Sequence, residues 1–496
     1  MRYYGAMFDQ SYKVPSSVTR VTEALQNAGY EAYLVGGCVR DLVLNKTPKD
    51  WDVATNATPE QIQELFEETY YNNTFGTVGV VNENEVDPTT KVVEVTPYRT
   101  EGTYTDNRRP DTVQFGVSLE EDLARRDFTV NAIAYDAIKG HTVDPYKGHG
   151  DLEAKTLRAV GDPNERFQED ALRMLRAIRL AAQLGFAIEA ETYAALTTNA
   201  KLLANISKER IRDELTKTIM SPAPMEALLH MKHTGLLEYV LPDLLRGDGI
   251  KQNQAHSYPV LEHLLRALQH AADKDWPLEV RLAALFHDIS KPECRRTNEH
   301  GEYTFYGHEV VGSRVTRKAL TDLRFSKDIV EKVVKMVRWH MFFSDPDQIT
   351  LSAVRRMIAN VGQKDIWDLL NVRRCDRIGS GKPKEQPFRF RKYASMVEEA
   401  LRDPVSVGML KIDGAGIMDV THETPGPRVG NILHALLEEV LDDPTKNTEE
   451  HMSQRAKELA KLSDEELIEL GSKGKQRKDE AEQEEVLNLR KKHHVR

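Results

Sequence analysis

The chain has 496 residues, 40% of them hydrophobic, enough for several domains with sizeable cores. Its net charge of −10 argues against a wholly basic surface and leaves room for a local basic groove. There is no apolar run of about 18 residues, no apolar signal core in "MRYYGAMFDQSYKVP" and no paired spacing among Cys38, Cys294 and Cys375, so the expectation is a cytoplasmic enzyme without membrane span or disulfide framework.

Residues 17–29 read as an amphipathic helix ending at Gly29, and "EAYLVGG" as the strand that follows. Further along, "DWDVAT" reads as a short strand, on which Asp50 and Asp52 project to one face. Two adjacent carboxylates raise each other's pKa unless a cation lies between them, and carboxylate oxygens are ligands that Mg2+ prefers. A solvated loop with both aspartates in water is the alternative. The preceding "LVGGCVRD" tilts the balance, because paired glycines let backbone N–H groups approach a phosphate and Arg40 adds a planar cationic fork. Together these features suggest a nucleoside triphosphate held through magnesium.

Thr58 and Pro59 mark the start of a helix in "TPEQIQELFEET". "FGTVGVVN" and "TKVVEVTPYRT" read as a β-hairpin, which makes this first part α/β. Glu94 lies opposite Val93 and Val95 on such a strand; alone it would face solvent, but beside a carboxylate pair it is a candidate third ligand. Two metals about 4 Å apart would activate a hydroxyl nucleophile and stabilise a leaving pyrophosphate. In "ARRDFTVNAIAYD", Arg125, Arg126 and Asp127 concentrate charge ahead of an apolar segment; Arg126 is a candidate triphosphate contact, and Asn131 can bond sugar or backbone.

From about Asp162 the pattern is helical to the end, with no convincing strand alternation, and "FQEDALRMLRAIRLAAQLGF" reads as one amphipathic helix closed by Gly185. Asp170 and Arg173 are then neighbours on one face. As an ordinary ion pair they would contribute about 0.3–0.5 kcal/mol. As a reading head they would do more. Cytosine and adenine present an amino donor beside a ring-nitrogen acceptor, uracil and guanine the reverse, and an aspartate only accepts while an arginine only donates. Arg176 and Arg179 extend the positive surface along the helix.

The middle helical region carries His263, the adjacent His287 and Asp288, and later Asp376, with His308 and His340 able to serve a second metal. Imidazole and carboxylate together suit a divalent transition metal with an activated water. The order H…HD…D, with Lys291 following, resembles the HD phosphohydrolase superfamily, and a degenerate HD fold that binds tRNA is the alternative. "GSGKPKEQPF" reads as a linker, and the charged chain after Asn447 as a solvated helix or frayed tail.

"LVGGCVRD", "DWDVAT", "RRDFTVNA", "DPYKGHGDL", "VGDPNERFQEDALRMLRAIRLAAQLGF" and "PGPRVGNILHALLEEVL" resemble the bacterial class II tRNA nucleotidyltransferase/poly(A) polymerase family, densely over the first 215 or so residues and sparsely beyond. The resemblance implies a seahorse-shaped enzyme that adds C, C and A to tRNA 3′ ends from CTP and ATP without a nucleic-acid template. It implies an α/β nucleotidyltransferase head with a mixed sheet over residues 1–155, a nucleotide-selecting helical neck over 156–225, an HD-containing helical domain over 226–385 and a tRNA-binding helical body and tail over 386–496. Carried over by motif, Asp50 and Asp52 hold magnesium, Gly37 and Arg40 contact the nucleotide, and Arg126, Asp170, Arg173, Arg176 and Arg179 hold and select it. "YRTEGTYTDNRRPDTVQFG" resembles the family's flexible loop, which favours full CCA addition or A addition over CC addition alone. The rival readings are a poly(A) polymerase or A-adding enzyme of the same family, and a nucleotide-sensing HD phosphohydrolase. The oligomeric state is left open.

Overall fold

Alternating apolar residues build a seven-stranded mixed sheet near the start of the chain, in the order β3-β4-β5-β2-β1-β8-β9. The strands are β1 (Ala32–Val35), β2 (Asp52–Thr55), β3 (Thr69–Tyr71), β4 (Val78–Val81), β5 (Val92–Pro97), β8 (Ala134–Asp136) and β9 (His141–Val143); β6 (Arg99–Glu101) and β7 (Val113–Phe115) form a separate pair. The computed structural model describes residues 12–71, 76–83, 85–102, 113–253, 256–342 and 349–471. Much of the loop-like stretch after Tyr98, and the last 25 residues of the charged tail, therefore lie outside the described residues.

Central β1 is antiparallel to β2 and to β8, whereas β2 and β5 run parallel with Asp52 opposite Glu94. Leu34, Val53, Val93 and Val95 are fully buried, so the polar residues between them face the other way. The expected hairpin is present as β4 and β5, antiparallel with Val80 opposite Val93. Thr58 caps the helix Pro59–Leu65 in a reciprocal capping box with Gln61, and Pro59 occupies its first turn.

The single helix expected around Asp170 is two helices, Pro163–Glu169 and Leu172–Leu184. Asp170 breaks them with extended backbone (φ −135°, ψ 103°), and its Oδ1 accepts from the Leu172 amide at 3.1 Å. A short aspartate offers the backbone a local partner that competes with the helical ladder, and the apolar period running through it conceals this. Gly185 closes the second helix in the left-handed region, as its position predicts. Two short strand pairs also interrupt the helical remainder: β10 (Thr156–Leu157) with β11 (Ala187–Ile188), parallel, and β12 (Arg296–Thr297) with β13 (Tyr303–Thr304), antiparallel. Pairs of two residues are too short to show a period.

The chain divides into two compact units, the first made of residues 1–250, 272–281 and 318–327, the second of the remainder. In the second unit the segment after Asn447 is more than a solvated helix. Helix Glu449–Leu459 buries Met452, Ala456 and Leu459 in one cluster with Ile417, Ile432, Leu436 and Leu467. Its apolar residues are sparse but lie on one face, and the charges between them point outward. Among the described residues no helix is long and apolar enough to cross a membrane.

Candidate active site and metal centre

In the first unit, Gly36 joins β1 to the helix Gly37–Val43 with φ +76°, a conformation that favours glycine. A Cβ there would stand 3.1 Å from Arg126 Nη1 and 3.6 Å from Asp52 Oδ2. The turn thus lies against both a cation and a carboxylate, and Gly36, one position before the glycine singled out from sequence, is the one whose backbone requires it.

Asp50 precedes the strand and is exposed, Trp51 is buried, and Asp52 begins β2 partly covered. Burial first, then the charges of Asp50 and Glu94, push the Asp52 carboxyl up to about 7, with Arg126 opposing. A carboxyl pushed up by burial and by neighbouring carboxylates belongs to a donor set that fits a divalent cation. The ligand atoms of Asp50, Asp52 and Glu94 are looser than the clusters described below, the groups of three or more found within 4.8 Å among the described residues.

The raised Asp52 pKa has a sign. Its stabilising contribution is complete below the ordinary carboxylate value and is lost as pH rises through about 7, because the folded state then holds a charge it disfavours. In EDTA, Asp52→Asn should therefore melt later than the parent at pH 8, with a smaller difference at pH 5, part-way down the same window. A thermal melt at both pH values checks this, and an earlier melt at pH 8 would refute it.

Asp122, only 1% exposed, clamps both neighbouring arginines, receiving Arg125 Nη2 at 2.6 Å and Arg126 Nη2 at 3.2 Å. Arg126 Nε is buried without a hydrogen-bond partner. Arg40 donates to Asn131 Oδ1 at 2.8 Å and to Asp41, and Asn131 donates in turn to Asp127 Oδ1 at 3.1 Å. Asp127 Oδ2 takes Arg176 Nη1 at 3.0 Å, and buried Glu214 takes Arg179 Nε at 2.6 Å. Burial works against the Asp127 charge, but Arg176 and Asn131 hold its carboxyl below the usual range.

Asp170 and Arg173 are each held by further residues. Asp170 Oδ2 accepts from Arg210 Nη2 at 2.7 Å, while Arg173 Nη1 meets Glu169 at 2.5 Å and its Nη2 donates to the Arg125 carbonyl at 3.1 Å. Sequence reasoning passed over Asp122, Glu169, Arg210 and Glu214, and took Gly36 only as one of the paired glycines. The i+3 and i+4 spacing of Asp122 to Arg125 and Arg126 was legible; Arg210 and Glu214 lie on a different helix, Lys208–Ile219, and carried no local signal.

In the second unit, His263 lies on the buried face of helix Val260–Asp273, His287 and Asp288 follow helix Leu278–Phe286, His308 opens helix His308–Asp322, His340 follows helix Lys327–Trp339, and Asp376 lies on helix Ile366–Gly379. All six converge. His263 Nε2 is 2.9 Å from His287 Nε2 and 3.0 Å from Asp288 Oδ2, and Asp376 Oδ1 is 3.6 Å from His263 Nε2. Asp288 Oδ1 faces His308 Nε2 at 3.1 Å and His340 Nε2 at 3.5 Å. Two ligand groups thus share Asp288: His263, Asp376 and a further residue, His256, on one side, and His308 with His340 on the other.

Backbone carbonyls orient the rings. Nδ1 of His287, His308 and His340 lies 2.9, 2.7 and 2.7 Å from the carbonyls of Ala284, Phe305 and Val337, each three residues earlier. An Nδ1–H donated there leaves the Nε2 lone pair aimed inward, the arrangement of a metal-ligating histidine. Facing lone pairs 2.9 and 3.3 Å apart repel unless a proton or cation lies between them. Without a metal, burial opposes charge on His287, but Asp288 and Asp376 prevail and raise it to about 9, whereas burial lowers His340 to about 4. The donor set fits a divalent cation.

Comparison with known proteins places the same segments in known domain families. The Poly A polymerase head domain matches residues 32–158, the probable RNA and SrmB-binding site of polymerase A residues 185–246, and the HD domain residues 260–368. A CCA-adding enzyme of Geobacillus thermodenitrificans is 44% identical over 243 residues, 49% of this chain and 58% of that protein, so the chain matches little over half of that relative's length. The structure of the Bacillus stearothermophilus CCA-adding enzyme in complex with CTP superposes with a TM-score of 0.65 at 28% identity, covering 89% of this chain and 96% of that one. The Thermotoga maritima CCA-adding enzyme complexed with tRNA shares the fold, with a TM-score of 0.54 at 18% identity over 92% of this chain and all of that one. The CCA-adding enzyme of Lactiplantibacillus plantarum is 32% identical over 448 residues, 89% of this chain and 95% of the relative. The chain belongs to the CCA-adding enzyme family.

Proposed function

We propose that the chain is a tRNA nucleotidyltransferase that adds C, C and A to the tRNA 3′ end from CTP and ATP. The observation that carries this reading is the Gly36 turn, where a Cβ would stand within 4 Å of both Asp52 and Arg126. Asp50 and Asp52 would hold Mg2+, with Glu94 beside them. Bound there, the ion supplies charge stabilisation at the attacking hydroxyl and the departing pyrophosphate. Arg126, held by Asp122 and with an unused Nε, would bind the triphosphate together with the backbone at Gly36 and Gly37 and the Arg40 fork. Asp170 and Arg173 would select the base, with Arg176 and Arg179 supporting them. On this reading residues 1–155 are the catalytic head, 156–225 the selecting neck, 226–385 the HD domain and 386–496 the tRNA-binding body and tail. The three free cysteines suit a reducing compartment such as the cytoplasm.

The test is incubation of purified protein with tRNA lacking its 3′ end, with labelled CTP alone, ATP alone, and both. Stepwise C, C and A incorporation supports the proposal. Repeated A addition would assign a poly(A) polymerase, A addition only to tRNA already ending in CC an A-adding enzyme, and no incorporation a nucleotide-sensing protein.

The converging Nε2 atoms favour a second activity, hydrolysis of phosphomonoesters or 2′,3′-cyclic phosphates at a divalent-metal HD centre. His287→Ala should remove that hydrolysis and leave CCA addition intact, as measured on p-nitrophenyl phosphate, 2′,3′-cyclic AMP and the tRNA assay. If the parent protein hydrolyses neither compound and elemental analysis finds no transition metal, the HD domain is a scaffold.

A further inference from the structure

The H…HD…D order leaves out two residues that the fold brings to the same centre. Lys291 Nζ, on a side chain 6% exposed, lies 2.6 Å from Asp288 Oδ2, 2.7 Å from Gln252 Oε1 and 3.2 Å from His256 Nε2. His256 is the additional member of the first ligand group; one of its ring nitrogens and the ligand atoms of His263, Asp288 and Asp376 all lie within 4.8 Å of one another. Resting on the reading of this centre as a divalent-metal site, we infer that the Lys291 ammonium is a built-in stand-in for the first ion, and that His256 becomes that ion's fourth protein ligand once the ammonium withdraws.

Three observations carry this. The first is the orientation of His256: Nδ1 lies 2.9 Å from Asn253 Oδ1, so an Nδ1–H donated there leaves Nε2 as a lone pair. That is the state in which an imidazole accepts from an ammonium or binds a metal, and Nε2 now faces Lys291. The second is the position of the charge. Nζ lies against the Asp288 oxygen that also faces His263, which is the oxygen an ion in the first group would take. An ammonium and a divalent ion cannot share one buried carboxylate oxygen without strong repulsion, because their charges would be only a few ångströms apart in a poorly screening interior. The third is the contraction available. A donor group spread over at most 4.8 Å matches the span across an ion whose bonds are about 2.0–2.2 Å long, whereas an ammonium makes contacts of about 2.7–3.2 Å and cannot draw the set closer.

The inference sets opposite signs for two substitutions in one ligand-binding measurement. Cobalt(II) is titrated into the full chain with excess magnesium present to occupy the head carboxylates, following visible absorption and bound metal after dialysis. His256→Ala should weaken one bound ion by about tenfold or more and change its absorption, since a ligand is lost. Lys291→Met should tighten the same ion by about tenfold or more, because a competing cation is removed, while Lys291→Arg, which keeps the charge, should not tighten it. Circular dichroism melts establish that each variant is folded, with His256→Gln as the substitute should His256→Ala fail. Weaker binding by Lys291→Met would mean that the lysine supports the site rather than substituting for the ion, and would overturn the inference, as would an unchanged His256→Ala. If neither the parent nor Lys291→Met binds cobalt, the metal reading itself fails; binding by Lys291→Met alone supports the inference.

Discussion

Asp52→Ala should abolish nucleotide transfer, lowering kcat/KM for CTP and ATP by about a thousandfold or more, and Asp50→Ala should do nearly the same. A thousandfold corresponds to about 4 kcal/mol of transition-state stabilisation, within what metal charge and positioning supply in phosphoryl-type transfer. The fold should survive, because Asp52 begins its strand and its Oδ2 faces the Gly36 turn and Arg126 rather than the apolar core. The check is labelled CMP and AMP incorporation beside tRNA affinity from a filter-binding curve. Lost transfer with retained tRNA binding is the expected result; substantial transfer by the Asp52→Ala protein would remove the metal assignment.

Asp170→Ala and Arg173→Ala should change which bases are accepted. Cytosine and adenine offer an amino donor that an aspartate can accept and a ring nitrogen that an arginine can reach, whereas uracil and guanine would leave buried groups unpaired. That mismatch costs about 1–3 kcal/mol per group, or roughly ten- to hundredfold in discrimination. Asp170→Ala should therefore slow the enzyme and relax selection against U and G, and Arg173→Ala should impair use of both C and A. The structure adds a condition. Asp170 already accepts from the Leu172 amide and Arg210, and Arg173 is engaged with Glu169, so an arriving base must share or displace these partners. The measurement is kcat/KM for all four nucleotides on tRNA ending before its CCA. If both variants keep the parental preference for C and A, the two residues are structural and the template idea fails.

Base selection also shows where reading the chain stops. The spacing of Asp170 and Arg173 suggested one helical face, because the apolar residues on either side keep a helical period. The period reports which face is buried and says nothing of a one-residue interruption that a side chain can stabilise by itself. The HD centre shows the converse. His263, His287, Asp288 and Asp376 were legible as candidate ligands because imidazole and carboxylate groups on apolar helices have few other uses, and these four lie together, with His287 beside rather than within the two ligand groups. His256 was not, since it stands in a polar stretch with no period around it.

By itself the sequence determined the α/β head with its hairpin, the helical remainder, the carboxylates and arginines of the first unit and most of the second unit's candidate ligands. Each of these follows from local rules: strand alternation, helical period, capping, and residue types whose chemistry is costly to bury unused. Only the tertiary structure decided the partners. Asp122 and Gly36 around Arg126, Arg210 on Asp170, Glu214 on Arg179, and Lys291 with His256 against Asp288 are set by which side chains the packed elements bring within about 3 Å. Several of these join residues 30 or more positions apart, a separation at which neither period nor spacing carries any signal, so only the packing of one element against another could choose them.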